Sequence, residues 1–397
     1  MNLRRAKIDR YSVFTKRFLV GVFLNGLGNG IFGVIWQLYL TSIELDICSI
    51  IRLYLMNALG TTLLTIPLGI CANNYGNRRM FLFSFSLIVI SSSILITNNK
   101  VEMLALALFI LGIYNATTIV WTAVYSSFFQ KDEMNQAFGV LDSLNIIALS
   151  IGSLSGFIPQ MLVALKGFNT QISYWILLVL AAVFLSIAPL FFIRSLQRET
   201  ENQTRKKEKF HLKSKRTVGK FCLITLLGQF GLGIFLNFFP FYDFTKFGMQ
   251  SDVLGCLFFI SYLVSAVANI VSHKISKRLG QLETIVTTIG FASLSYLLIP
   301  LAPNVLWLCA FYVARIGFRM MANPCISSLF ISLIKDEENI TANSIISVVS
   351  QSSNLIVYSI SDQVANQYSL DFPAFLGASI YSIYALSYYF LLQNERT

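Results

Sequence analysis

The sequence predicts an all-α membrane protein of twelve transmembrane helices, arranged as two parallel six-helix repeats with both termini in the cytoplasm. Three observations predict it: apolar runs of membrane length follow one another along the chain, lysine and arginine collect on alternate loops, and short motifs recur at an offset of 203 to 204 residues. Of 397 residues, 55% are hydrophobic, 14% aromatic and 12% charged. A soluble domain carries roughly a quarter charged residues. No aqueous fold can hide this much apolar surface, so the solvent for most of the chain is lipid.

A bilayer core about 30 Å thick needs about 20 apolar residues per helix. Runs of that kind fall near 17–40, 50–71, 80–97, 102–128, 136–165 and 172–194, and again near 218–244, 253–274, 284–302, 304–334, 341–366 and 372–392. The one long hydrophilic break, with RETENQTRKKEKFHLKSKR at its heart, divides them six and six. Residues 1–194 are therefore expected to form an N-terminal six-helix bundle, 195–217 a cytoplasmic linker, and 218–397 a C-terminal bundle. The linker's basic run also suits anionic lipid headgroups.

The net charge of +11 raises the possibility of nucleic-acid binding, but its distribution speaks for membrane orientation. With the amino terminus inside, 24 of the 30 Lys and Arg fall on cytoplasmic segments. Four (Arg52, Lys100, Lys166, Lys246) fall on outer loops and two (Arg315, Arg319) within spans. The excess charge is a topology signal, and no nucleic-acid partner is expected. The basic stretch MNLRRAKIDRYSVFTKR precedes a full-length span with no A-x-A-like cleavage site, so it reads as a cytoplasmic tail. Six scattered cysteines without C-x-x-C spacing, and two histidines in or beside cytoplasmic loops, predict neither a metal site nor a disulfide framework.

The internal repeat supports the division into halves. Lys131-Asp132-Glu133-Met134-Asn135 matches Lys335-Asp336-Glu337-Glu338-Asn339 at an offset of 204, and Gly76 matches Gly280 at the same offset. Gly28-Asn29-Gly30-Ile31-Phe32 followed by Tyr39 matches Gly231-Leu232-Gly233-Ile234-Phe235 followed by Tyr242 at 203. Six spans per repeat start both halves on the same side, which makes the repeats parallel about an axis along the membrane normal.

With these motifs the chain resembles the major facilitator superfamily over essentially its whole length. That family's signature after its second helix is G-x-x-x-D-R-x-G-R-R. Here the stretch runs Gly69-Ile70-Cys71-Ala72-Asn73-Asn74-Tyr75-Gly76-Asn77-Arg78-Arg79. Gly69, Gly76 and Arg78 fit, while Asn73 stands where the family has its Asp. The resemblance implies a cytoplasmic gating latch, weakened because an amide accepts hydrogen bonds but supplies no charge. A second signature, an arginine in the fourth helix of many drug and proton antiporters, is replaced by Leu108 ahead of Gly112. The resemblance further implies that spans 3, 6, 9 and 12 face lipid while the others line a central cavity, and that the halves rock around a midplane site.

Spans 3, 6, 9 and 12 carry no Asn, Gln or charged residue in their cores, whereas the other spans do. Such groups avoid hydrocarbon and are expected to face the interior. Arg315, Arg319 and Asn323 recur every fourth residue of span 10 and share one face. Arg315 falls about 18 Å along that helix, close to the midplane. Gln351 and Asn354 lie at comparable depth on span 11, in a stripe with Ser347, Tyr358 and Asp362. Asn25, Asn29 and Trp36 align on span 1.

The candidate substrate-binding set is Asn29, Trp36, Asn115, Gln229, Arg315, Arg319, Gln351 and Asn354. The arginine fork suits a carboxylate or phosphate on the substrate, the alternative being internal pairing with carbonyls, Asp142 or Asp362. For the lone amides the alternative is packing between helices. Asp142, about 10 Å into span 5, is the candidate proton-coupling acid. Asp243 and Asp362, near outer helix ends, are expected to be solvated.

There is no P-loop, Ser-His-Asp set or metal-ligand cluster, so neither an enzyme nor a cofactor is expected. The expected function is secondary transport of a small organic solute by alternating access. Efflux of an amphipathic or drug-like compound, with proton coupling, leads. Uptake or exchange of an organic anion through the span 10 arginines is the alternative, and a non-transporting sensor is a third reading. The expected partners are the solute, protons and membrane lipid, and the expected state is a monomer in the plasma membrane.

Overall fold

The computed structural model describes residues 12–126, 128–129, 134–196, 214–334, 339–367 and 369–393. Among these every regular element is helical. In chain order the α-helices are α1 Val13–Ser42, α2 Ile47–Tyr75, α3 Asn77–Thr97, α4 Val101–Ala116, α5 Thr118–Ser126, α6 Met134–Ser153, α7 Phe157–Lys166 and α8 Thr170–Arg194. They continue with α9 Lys215–Gly233, α10 Phe239–Phe247, α11 Ser251–Leu279, α12 Gln281–Leu298, α13 Val305–Leu333, α14 Asn339–Gln367 and α15 Phe372–Leu392. Nine segments among the described residues are long and apolar enough to cross a bilayer, and two shorter apolar stretches, Val101–Ala116 and Ile345–Ser361, accompany them.

Each of the twelve apolar runs in the sequence coincides with helix, but three are interrupted. The fifth run breaks into α6 and α7 at the 3-10 turn Leu154–Gly156, and the seventh into α9 and α10 around Leu236–Phe238. Proline explains both. Pro159 and Pro240 lack an N–H, and their rings crowd the carbonyls four residues back, at Ser155 and Leu236. The fourth run breaks at Thr117 without a proline. There the Thr117 hydroxyl donates to the Tyr114 carbonyl at 2.7 Å and accepts from Ser84 Oγ at 2.7 Å, so a side chain competes for the backbone.

The chain forms two compact units, one of residues 1–44 and 56–207, the other of 45–55 and 208–397. In the first, α1 packs along α6 and α8, and α3 packs against α4 and α8. In the second, α9 packs along α14 and α15, and α12 and α13 pack together, with α11 on α13. Helices α1 and α9 thus play the same part in their units, and the motif glycines show it. A Cβ at Gly28 would stand 2.6 Å from Leu185 Cγ of α8, and one at Gly30 would stand 2.5 Å from the Leu149 carbonyl of α6. At Gly231 it would meet the Tyr381 backbone of α15 at 2.9 Å, and at Gly233 Val357 of α14 at 2.6 Å. Gly76 and Gly280, which part α2 from α3 and α11 from α12, have φ of 82° and 94°. Only glycine adopts that backbone without strain.

Other details also recur. The Tyr39 hydroxyl donates to Asn99 Oδ1 at 2.8 Å, and its counterpart Tyr242 donates to Asp371 Oδ1 at 2.6 Å. In the second unit Lys246 joins this clasp, its ammonium 2.6 Å from Asp371 Oδ1, 2.8 Å from the Tyr242 hydroxyl and 2.8 Å from the Pro300 carbonyl. Exposed apolar side chains such as Phe83 on α3, Val183 on α8, Phe291 on α12 and Phe390 on α15 suit a lipid solvent. The repeat motif that begins at Lys131 and Lys335 lies largely outside the described residues, as do the heart of the linker and the side chain of Asp362.

A candidate site built on α13

Asn304 starts α13 by accepting a hydrogen bond from the Trp307 backbone N–H at 3.1 Å. Arg315 and Arg319 follow on one face, Arg315 about 15 Å from the helix start. Arg315 is buried, 8% exposed, and its Nε meets no acceptor. Its guanidinium carbon lies 5.4 Å from the centre of the Tyr312 ring, a cation–π approach along its own helix. No hydrogen bond or ion pair holds it among the described residues, which do not include the side chain of Asp362.

Arg319 donates to Asn323 Oδ1, one turn further on. The same unit carries a row of buried phenols, Tyr296 on α12 and Tyr381, Tyr384 and Tyr388 on α15. The Tyr381 hydroxyl is buried without a partner, Tyr296 donates to the Gly231 carbonyl at 3.1 Å, and Tyr384 and Tyr388 share a hydroxyl contact of 3.3 Å.

The amides of the same unit are largely engaged. Gln229 on α9 donates to Ser350 Oγ of α14 at 2.7 Å, and Asn237 donates to the Tyr358 hydroxyl at 3.1 Å. Gln351 and Asn354 are half-buried on α14. A cavity of about 90 Å³ lies among Ile234, Phe235, Phe238, Phe241 and Tyr242. Its lining is mainly apolar, with Ser361 and Ser369 beside these rings, and includes neither arginine.

In the first unit, Asn25 is buried and donates to the Tyr114 hydroxyl at 2.9 Å, while the exposed Asn29 donates back to Asn25 Oδ1 at 2.8 Å. Trp36 is 1% exposed, stacked on Phe32 at 5.1 Å, its indole N–H without a partner. It lines a small cavity of about 20 Å³ with Ile88, Ser92 and Leu178. Trp36 and Asn29 therefore do not share an environment, although they share a helix face. Asn115 is exposed at the break between α4 and α5, and Asp142 is exposed on α6.

A profile of the Major Facilitator Superfamily matches residues 18–358. The chain belongs to the Major Facilitator Superfamily. Solved structures agree in fold. A bacterial homologue of the iron transporter ferroportin, in an inward-facing state, superposes with a TM-score of 0.74 at 13% identity, covering 96% of this chain and 99% of that one. The nucleoside transporter NupG gives 0.71 at 14% identity, over 97% and 98%. A bacterial homologue of the human lysosomal transporter Spinster, inward-facing and occupied, gives 0.70 at 12% identity, over 96% and 96%. No curated protein sequence matches the chain.

As a Major Facilitator Superfamily protein it carries the family's turn between α2 and α3 in altered form. Gly69 lies in α2, Asn73 in its last turn, Gly76 holds the left-handed link and Arg78 is exposed at the start of α3. The side chain of Asn73 lies outside the described residues. Sequence reasoning missed the phenols. The signal was present, since Tyr381, Tyr384 and Tyr388 recur at helical spacing on an otherwise apolar span. It was hidden because tyrosine also belongs to interfacial belts and cores. Asp243 was expected to be solvated, yet it is 0% exposed. Its place near a helix end sets its depth but says nothing of the neighbours of α10, whose Phe239 stacks on Tyr312 of α13 at 4.0 Å.

Proposed function

We propose that this chain is a secondary transporter that moves a small organic solute across the plasma membrane by alternating access, and that Arg315 meets an anionic group of that solute. One observation supports the reading: a guanidinium at mid-helix depth, buried and with no acidic partner among the described residues. A charged group in that position is costly unless something compensates it, and an intramembrane ion of this kind marks a substrate path by default. The rows of tyrosine and phenylalanine beside it suit the apolar body of an amphipathic compound. Export of such a compound remains the favoured direction, with uptake or exchange of an organic anion as the second reading that Arg315 itself favours. The division into bundles at 1–194 and 218–397, cytoplasmic termini and a monomeric state belong to the same proposal.

The test is thermal stability of the purified protein against panels of anionic, neutral and cationic solutes. A ligand that binds the folded state raises the melting temperature by mass action. An anionic solute should do so in the parent. Arg315→Lys, which keeps charge but loses the planar fork, should weaken the shift. Arg315→Ala should weaken binding by about 2 kcal/mol. Arg315→Ala that melts as the parent does and keeps its full shift would refute the role of Arg315. Absence of counterflow in proteoliposomes for every solute, with folded protein, would refute transport and leave the sensor reading.

A further inference from the structure

The sequence offers Asp142 as a coupling acid, but a different carboxyl stands out in the fold. Asp243 on α10 is fully buried, and neither carboxylate oxygen meets a donor. The cation nearest in sequence, Lys246, is already committed to Asp371, Tyr242 and Pro300. On its own helix Asp243 has Tyr242 beside it, whose hydroxyl is given to Asp371. From α13 the Tyr312 ring stacks on Phe239 of α10 at 4.0 Å, and Cys309 stands one turn before Tyr312 on the same helix. Arg315 lies against the Tyr312 ring, and no bond joins it to Asp243.

The internal repeat provides a control. The offset that aligns Tyr39 with Tyr242 aligns Leu40 with Asp243. Leu40 is also fully buried, and Tyr39 makes the same kind of clasp to the next loop as Tyr242 does. Hydrocarbon thus satisfies this place in the first unit. The carboxyl in the second is not required by the fold and carries a heavy desolvation cost as an anion. Only a positive charge delivered to its oxygens relieves that cost. A metal ion would need further hard or soft ligands, and the described residues contain no group of three His, Cys, Asp or Glu able to hold one. The described residues thus offer the Asp243 oxygens neither a donor nor a set of further ligands, and a proton needs neither.

We propose that Asp243 is a proton-binding site. The carboxylate takes one proton from water when its helices open, forming the neutral acid, and carries it in the closed arrangement. On reopening the O–H bond breaks, the proton returns to water and the carboxylate is restored. This rests on the transport reading for its purpose but not for its test, which needs no substrate.

The test is infrared difference spectroscopy of the reconstituted protein in light and heavy water. At neutral pH a carbonyl stretch of a protonated carboxylic acid should be present, should move to lower frequency in heavy water, and should bleach reversibly on alkaline titration. Asp243→Asn should remove the band, whereas Asp142→Asn should retain it. Asp243→Leu, which installs the residue of the first unit, should fold and also lack the band, so its loss cannot be ascribed to misfolding. A parent without the band, a band that survives both Asp243 variants or resists alkali, or one bound metal ion per chain that is lost in Asp243→Asn would each overturn the proposal. None of these outcomes bears on whether counterflow occurs, so the two readings fail separately.

Discussion

Gly112→Ala is the sharpest test of how the first unit is packed. The α2–α4 seam has no clearance: a Cβ at Gly112 would stand 2.1 Å from the Asn57 carbonyl oxygen, and one at Gly60 would stand 2.3 Å from that of Phe109. Ordinary contact begins at 3.4 Å, so an added methyl must part the two backbones by about 1.3 Å. Two interhelical bonds cross at that point. Asn57 Nδ2 donates to the Leu108 carbonyl at 3.1 Å, and Thr61 Oγ1 donates to that of Gly112 at 3.0 Å. Both would be stretched past hydrogen-bonding range. Bonds of this kind average about 0.6 kcal/mol within membranes, up to about 1.7. Adding lost seam packing, and subtracting the roughly 0.5 to 1 kcal/mol that Ala gains over Gly in a helix, leaves a net loss of about 2 kcal/mol. Gly139→Ala on α6 is the control, because a Cβ there meets nothing within 4 Å. It should be neutral or slightly stabilising. Equilibrium unfolding in mixed micelles, followed by tryptophan fluorescence, measures both. Gly112→Ala within about 0.5 kcal/mol of Gly139→Ala would refute the zero-clearance seam, since that is the scatter of substitutions without a packing cause.

Two further perturbations test polar contacts. Lys246→Met removes three hydrogen bonds from a clasp whose charged side chains are 25% and 38% exposed; screening by water limits the expected loss to about 1 to 2 kcal/mol, and Asp371→Asn, which still accepts from Tyr242, should cost less in the same unfolding assay. Tyr114→Phe takes the acceptor from the buried Asn25 amide and should cost about 1 to 3 kcal/mol; adding Asn25→Leu should recover part of it, and a double variant worse than the sum would refute the pairing.

The spans were legible because hydrocarbon thickness fixes their length, and every apolar run became helix. The halves were legible at particular residues, Gly76 with Gly280 and Gly28 with Gly231, because backbone approach and left-handed φ leave glycine no substitute. The interruptions were less visible. Pro159 and Pro240 announce theirs, but nothing in Ala116-Thr117-Thr118 announces the break after α4. At the candidate site, periodicity put Arg315 and Arg319 on one face, and the structure agrees. It could not say what that face meets, because a helix's own spacing carries no information about its neighbours. Trp36 and Asn29 fail to share surroundings for the same reason, and Asp243 was given the right depth and the wrong solvent.

The glycine contacts of α1 have a consequence for how the protein is made. Gly28 meets Leu185, which is synthesised 157 residues later. At about 5 to 20 residues per second, α1 waits roughly 8 to 30 s in the membrane before its groove partner exists. Throughout that interval Gly28 stands against lipid or borrowed protein, and the Asn25 amide does so until Tyr114 arrives 89 residues after it. Biogenesis of the first unit is therefore closed by its last helix, and a chain truncated before α8 should be held by the insertion machinery or degraded rather than accumulate as a five-span product.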